Sequence, residues 1–183
     1  MSGSTLASAE VAVARTFADS AHRTAIGAAL LACACVLGLL ESALPAVLPV
    51  PWLRLGLANL AVVAALALVG PRTAAFVSAG RVLLVGLASG TLAGPVTVIA
   101  SAGAIASVGV MCLLAAYGPR YSMVGWSAAG SAAHVVAQFA AAAVVLNSGA
   151  LLVLAPASVL VALVLGAGVG LLARMIVSRL PSR

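Results

Sequence analysis

The chain has no lysine, and its 183 residues include only three carboxylates, Glu10, Asp19 and Glu41. Without lysine there is no Walker-type phosphate loop and no Schiff-base chemistry, so the chain cannot energise itself with ATP. Glu10 and Asp19 fall in a polar N-terminal stretch, which leaves no pair of aspartates from which a Mg²⁺-diphosphate site could be built. Charged residues make up 7% and aromatic residues 4% of the sequence, too little polar surface to cover a water-soluble globule of this size. Three cysteines are present, Cys33, Cys35 and Cys112. On a helix the first two point about 200° apart, and no second pair exists, so they read as buried, inert thiols rather than metal ligands. No cofactor-binding motif is found.

What fills the sequence instead is apolar, 64% of all residues. A helix needs roughly 17 to 25 apolar residues to cross ~30 Å of hydrocarbon, and six such runs can be placed, at about 24–40, 52–70, 72–90, 95–117, 122–147 and 156–177. Alternating strands are absent, which argues against a β-barrel. The expected fold class is all-α, a polytopic membrane protein with a six-helix bundle over residues 23–180. Residues 1–22, small, polar and of mixed charge, read as a disordered cytoplasmic tail.

All nine basic residues are arginines. Assigning alternate loops to opposite sides gathers Arg15, Arg23, Arg72, Arg120, Arg174, Arg179 and Arg183 with both termini. The positive-inside rule then places N and C termini in the cytoplasm and the loops after the first, third and fifth helices outside the inner (cytoplasmic) membrane. The net charge of +6 needs no nucleic acid; contact with anionic membrane lipid accounts for it.

Against this background the polar residues stand out. The segment E-S-A-L-P-A-V-L-P-V-P-W-L-R-L-G-L-A-N, from Glu41 to Asn59, is the interhelical stretch that carries both signs of charge, and Pro45, Pro49 and Pro51 stiffen it. It reads either as an interfacial carboxylate with Arg54 snorkelling to the membrane surface or as a lid over a pocket. Arg81 lies mid-helix in the third run, where a charge costs ~2.5–3.5 kcal/mol on insertion scales and must be paired, hydrated or functional. In the fifth run Ser127, Ser131, His134 and Gln138 recur at spacings of four, three and four, one face of a 3.6-residue helix. That stripe is either interhelical glue or the wall of a cavity. Glu41, Arg54, Asn59, Arg81, Ser127, Ser131, His134 and Gln138 are therefore the candidate substrate-binding residues, with no candidate catalytic or metal-ligating set beside them. Gly86, Gly90 and Gly94, and Gly166 with Gly170, read as small-residue ladders for helix packing. Trp52 and Trp126, at predicted helix ends, read as interface anchors.

The run E-x-x-x-P-x-x-x-P, then R-L-G-L-A-N, Arg81 with Gly90 after it, S-x-G-x-x-x-S-x-x-x-M at Ser101 to Met111, and G-x-S-x-x-G-x-x-x-H-x-x-x-Q at Gly125 to Gln138 resembles the Gx transporter family. That family also carries the label heptaprenyl diphosphate synthase component I. The resemblance covers about residues 26–175, and L-G-L-A-N is its most specific part. It departs at Val135 and Ala137, where many relatives have Asn and Gly. The family is grouped with the S-components of energy-coupling factor transporters. The resemblance thus implies a six-helix protein that binds a small molecule from outside, with the first loop as lid, and that depends on a separate transmembrane coupling subunit and ATPases. Its other label implies an accessory, non-catalytic subunit of a polyprenyl diphosphate synthase, and a third reading is a membrane scaffold in a flavin- or quinone-linked electron-transfer system.

Overall fold

A computed structural model describes residues 3–43, 56–118 and 121–179. They form six α-helices: α1 (Gly3–Ala43), α2 (Leu57–Leu68), α3 (Pro71–Ala88), α4 (Pro95–Ala116), α5 (Met123–Val145) and α6 (Ala155–Arg179), with a 3₁₀ turn at Gly149–Leu154 before the last. No strand occurs among the described residues, in keeping with the all-α expectation. Among the described residues four stretches are long and apolar enough to cross a membrane: Arg15–Ser42, Pro95–Ala116, Met123–Val145 and Gly149–Arg179. The count expected was six. The 12-residue α2 rises only about 18 Å at 1.5 Å per residue, and α3 carries Arg72 and Arg81 within its 18 residues.

Helix α1 is 41 residues long, about 60 Å, or twice the hydrocarbon thickness. Residues 3–22, expected as a mobile tail, are thus part of this helix. Neither proline nor glycine interrupts the alanine-rich stretch from Ser4 to Ile26, and alanine is the strongest helix former. Its C-terminal half packs against α2 and α3, and it runs parallel to α3. A Cβ on Gly27 would touch Thr73, one on Gly80 would touch Leu31, and one on Gly38 would touch Arg81 and Val85.

Helix α2 is the hub. Eight of its residues, Ala58, Asn59, Ala61, Val62, Val63, Ala64, Ala65 and Leu66, are buried, because α1, α3, α5 and α6 surround it. A helix apolar all round belongs in the interior, not on a lipid face. Around it Ala34, Ala74, Val77, Met111 and Ala173 complete a core of mostly small and β-branched side chains, which lets backbones approach closely. Trp126, expected at the membrane interface, packs against this core instead. The outer surface is strongly apolar, with Ile105 at 74% and Val144 at 80% exposure. A water-soluble monomer does not expose apolar area on this scale. Cys33, expected buried, is exposed on that surface, while Cys35 and Cys112 are half-buried.

Glycines set the interlock of α4, α5 and α6. A Cβ on Gly170 would lie 2.7 Å from Val124 Cα and 2.8 Å from Ser127 Cβ, and one on Gly166 would lie 2.6 Å from Ser131 Oγ. The Gly166–Gly170 ladder is therefore the seat of α5 on α6. The other ladder does not continue beyond Gly86. Gly90 has φ 68° and ends α3: its N–H donates to the Leu87 carbonyl at 3.1 Å while Thr91 N–H donates to the Gly86 carbonyl at 2.8 Å. That paired pattern is a Schellman turn, which requires the left-handed conformation glycine tolerates.

Candidate functional site

The sharp turn into α2 explains the L-G-L-A-N run. Gly56 holds φ 68° as the residue before the helix and offers no side-chain cap. The first N–H of a buried helix still needs an acceptor. Glu41, sixteen residues earlier in the last turn of α1, supplies it: the Leu57 N–H donates to Glu41 Oε1 at 2.9 Å. A carboxylate at a helix N-terminus also meets the positive end of the macrodipole. Asn59, two residues further, is 7% exposed.

Two adjoining chambers open from this corner. The larger, about 350 Å³, lies among the ends of α1 and α3, the start of α4 and the second half of α5. Glu41, Ser42, Arg81, Ser89, Thr91, Thr97, His134 and Gln138 supply its polar lining. The smaller, about 70 Å³, adds Asn59 and Ser131 to Glu41, Arg81, His134 and Gln138 and is floored by Gly166 of α6. Residues from all six helices are thus brought to one place, at the end of the bundle where α1 and α3 finish and α4 begins.

Helix packing aims each of these side chains. Arg81 lays its aliphatic stem on Gly38, whose Cβ, if present, would lie 3.8 Å from Arg81 Cγ. His134 and Gln138 lie over Gly103 of α4, where an added Cβ would be 2.7 Å from Gln138 Cγ and 2.9 Å from His134 Cε1. One turn on, Gly130 of α5 leaves room for Met111 and Ser107 of α4. The two sequence motifs of Ser101 to Met111 and Gly125 to Gln138 are therefore the two halves of one interlock. They meet glycine against side chain in both directions.

Of the eight candidate residues, Glu41, Asn59, Arg81, Ser131, His134 and Gln138 line the chambers. Ser127 does not. It is fully buried, wedged against Gly170, and its hydroxyl finds no hydrogen-bond partner among the described residues. Arg54 lies outside the described residues, as do the three prolines of the expected lid. Sequence reasoning missed Thr97 and Gly103. Thr97 donates from Oγ1 to the Thr91 carbonyl at 2.7 Å and so ties the α3–α4 turn to the chamber wall. Gly103 could have been noticed from its place in the S-x-G motif, but its job is visible only when α5 is laid against α4.

Apolar helices of membrane length around a polar chamber define an all-helical membrane protein with an internal cavity. The chain belongs to the heptaprenyl diphosphate synthase component I family, whose model matches residues 30–176. No curated protein and no solved structure matches the chain.

Proposed function

We propose that this protein is the membrane-embedded binding subunit of a transport or transfer system, S-component-like, and that it handles a small molecule with the help of separate coupling subunits and ATPases. One observation carries the reading: Glu41, Arg81, His134 and Gln138, from three helices, line a single chamber of about 350 Å³. That volume is at the lower end of small-ligand sites, ~300–1,000 Å³. Expensive polar groups inside an apolar bundle are retained where they face a cavity or a pathway. In this reading α2 and α3 complete a six-span bundle in the inner membrane. Both termini are cytoplasmic, and the chamber opens outward beneath the loop that contains Arg54. Arg81 meets an anionic group with its forked donors. His134, Gln138, Asn59 and Ser131 give directional hydrogen bonds, and Glu41 fixes the rim by holding α2. No part of the chamber performs chemistry on the ligand.

The family's name favours a second reading, an accessory component of a heptaprenyl diphosphate synthase. The chain lacks the paired aspartates that hold a diphosphate through magnesium, so its role there would be non-catalytic. A membrane scaffold in electron transfer is the third, and it needs no ligand in the chamber.

Native mass spectrometry of the detergent-purified protein separates them. The binding reading expects a retained small molecule that Arg81→Gln and His134→Ala both lose, since truncating one partner of a buried charged contact costs about 2–5 kcal/mol. A molecule retained equally by both variants, or none in protein taken from its native membrane, refutes it. Co-purification of a prenyl synthase whose product length changes when this chain is deleted establishes the second reading instead.

A further inference from the structure

At the end of the bundle opposite the polar chamber, a cavity of about 570 Å³ lies between α1 and the start of α3. Arg23 and Thr24 line it from α1, and Arg72 and Phe76 from α3. Gly27 and Thr73 close it where the two helices touch, since a Cβ on Gly27 would lie 3.2 Å from Thr73 Cγ2. Arg23 stands one turn before Gly27 and Arg72 adjoins Thr73, so the two arginines flank that contact from separate helices. Among the described residues that line the cavity none is acidic. Two guanidiniums so placed repel each other, modestly in water, and an anion shared between them turns the repulsion into attraction. The start of α3 adds to the same sign: Gly70 supplies no side-chain cap and the first turn carries no acidic residue, so the positive end of the macrodipole is left uncompensated in the cavity wall.

From this we infer that the cavity seats the phosphodiester headgroup of an anionic phospholipid of the surrounding bilayer, a resident lipid and not the molecule that the chamber handles. The site is independent of the chamber, with which it shares no lining residue. A guanidinium fork fits phosphate oxygens, and two forks from different helices fix one phosphate between them. What lies beside the arginines favours a lipid over a soluble anion. Phe76, one helical turn beyond Arg72 on the same face, is 59% exposed. A free phosphate leaves that ring uncovered, whereas the glycerol and first methylenes of a lipid cover it. Basic pockets between membrane helices on the cytoplasmic side suit anionic headgroups, and the proposed orientation puts this end on that side. Attraction spread over every arginine would need no cavity, and the two cases part under experiment.

The test titrates the detergent-purified full chain with phosphatidylglycerol or with phosphatidylcholine of the same acyl chains, and native mass spectrometry reads the affinity of the first bound lipid. An arginine near a headgroup is worth about fivefold, so phosphatidylglycerol should bind about tenfold tighter than phosphatidylcholine, Arg23→Gln and Arg72→Gln should each lose about fivefold, and the double variant about 25-fold. Arg179→Gln removes the same charge from the last turn of α6, outside the cavity, and should stay within about twofold of wild type. Thr24→Trp keeps every charge but fills the cavity, and should lose the first phosphatidylglycerol as the double variant does. An equal loss in Arg179→Gln, or undiminished binding by Thr24→Trp, reduces the site to diffuse attraction and overturns the inference. Phosphatidylcholine held as tightly as phosphatidylglycerol removes the arginines from the site and overturns it too. Inorganic phosphate that displaces the lipid at equal concentration makes the ligand a soluble anion and overturns the bilayer as its source.

Discussion

Replacing Gly103 by alanine asks whether the chamber is shaped by the α4–α5 crossing. The new methyl would sit 2.7 Å from Gln138 Cγ and 2.9 Å from His134 Cε1, both well inside van der Waals contact. Neither neighbour yields cheaply: Cγ is close to the α5 backbone, and the imidazole is a rigid plane. Overpacking of this kind costs typically about 1–3 kcal/mol. Removing a glycine from a helix interior returns about 0.5–1 kcal/mol, so the net loss should be roughly 0.5–2 kcal/mol. Gly109, six residues along the same helix, has nothing within 4 Å of its Cβ position. Gly109→Ala should therefore gain what Gly103→Ala fails to keep. Equilibrium unfolding in mixed micelles, run on both variants, measures the difference directly. Pairing Gly103→Ala with Gln138→Ala should recover part of the loss, since contacting sites are non-additive by about 0.5–3 kcal/mol. If Gly103→Ala proves as stable as Gly109→Ala, the crossing is looser than described and the orientation of His134 and Gln138 has another cause.

Glu41→Ala should destabilise by about 1.5–3 kcal/mol, the worth of a hydrogen bond to a charged group. Glu41→Gln should lose less, because it keeps an acceptor for the Leu57 N–H; amide exchange at Leu57 read by mass spectrometry distinguishes the two, and equal protection in all three proteins refutes the cap. Gly170→Ala should cost more than Gly103→Ala, because the methyl would meet Val124 Cα at 2.7 Å and the Met123 carbonyl oxygen at 2.9 Å. Backbone cannot rotate away, and the same unfolding assay should rank it the least stable of the alanine variants.

The helical spacing of Ser127, Ser131, His134 and Gln138 correctly places them on one face, since 3.6 residues per turn is a property of the chain alone. What each meets depends on which helix lies opposite. At Ser127 it is Gly170 of α6 and the residue is packing; at His134 and Gln138 it is Gly103 of α4 and the residues reach a chamber. Glue and wall were both legible, and the structure divides them along one stripe. Arg81 was legible because a charge within an apolar run is conspicuous at any depth. Glu41 was noticed for its charge, but its hold on α2 was not legible. The partner is a backbone N–H sixteen residues away, and backbone donors leave no mark in a sequence. That α2 is short and buried within the bundle was not legible for a related reason. Apolar length measures the wish to leave water, and a helix surrounded by protein satisfies that wish as well as one in lipid.

The chamber also constrains topology. Glu41 ends α1, Ser89 caps α3, Thr97 opens α4 and Gln138 lies in the second half of α5, and all line one cavity, so these ends share one side of the bundle. The opposite end holds Arg23 and Arg72, which line a separate cavity of about 570 Å³ beside the start of α3. In the proposed orientation the arginine-rich end faces the cytoplasm, because cytoplasmic loops gather arginines. In a chain with Cys33, Cys35 and Cys112 replaced by alanine, single cysteines at Ala93 and Ser148 should react with a membrane-impermeant thiol reagent applied to intact spheroplasts. Cysteines at Arg72 and Tyr121 should react only after permeabilisation. The reverse pattern would turn the chamber toward the cytoplasm and exclude uptake from outside. Labelling of Ala93→Cys and Ser148→Cys from opposite sides would separate the end of α3 from the end of α5, and one chamber between them would be impossible.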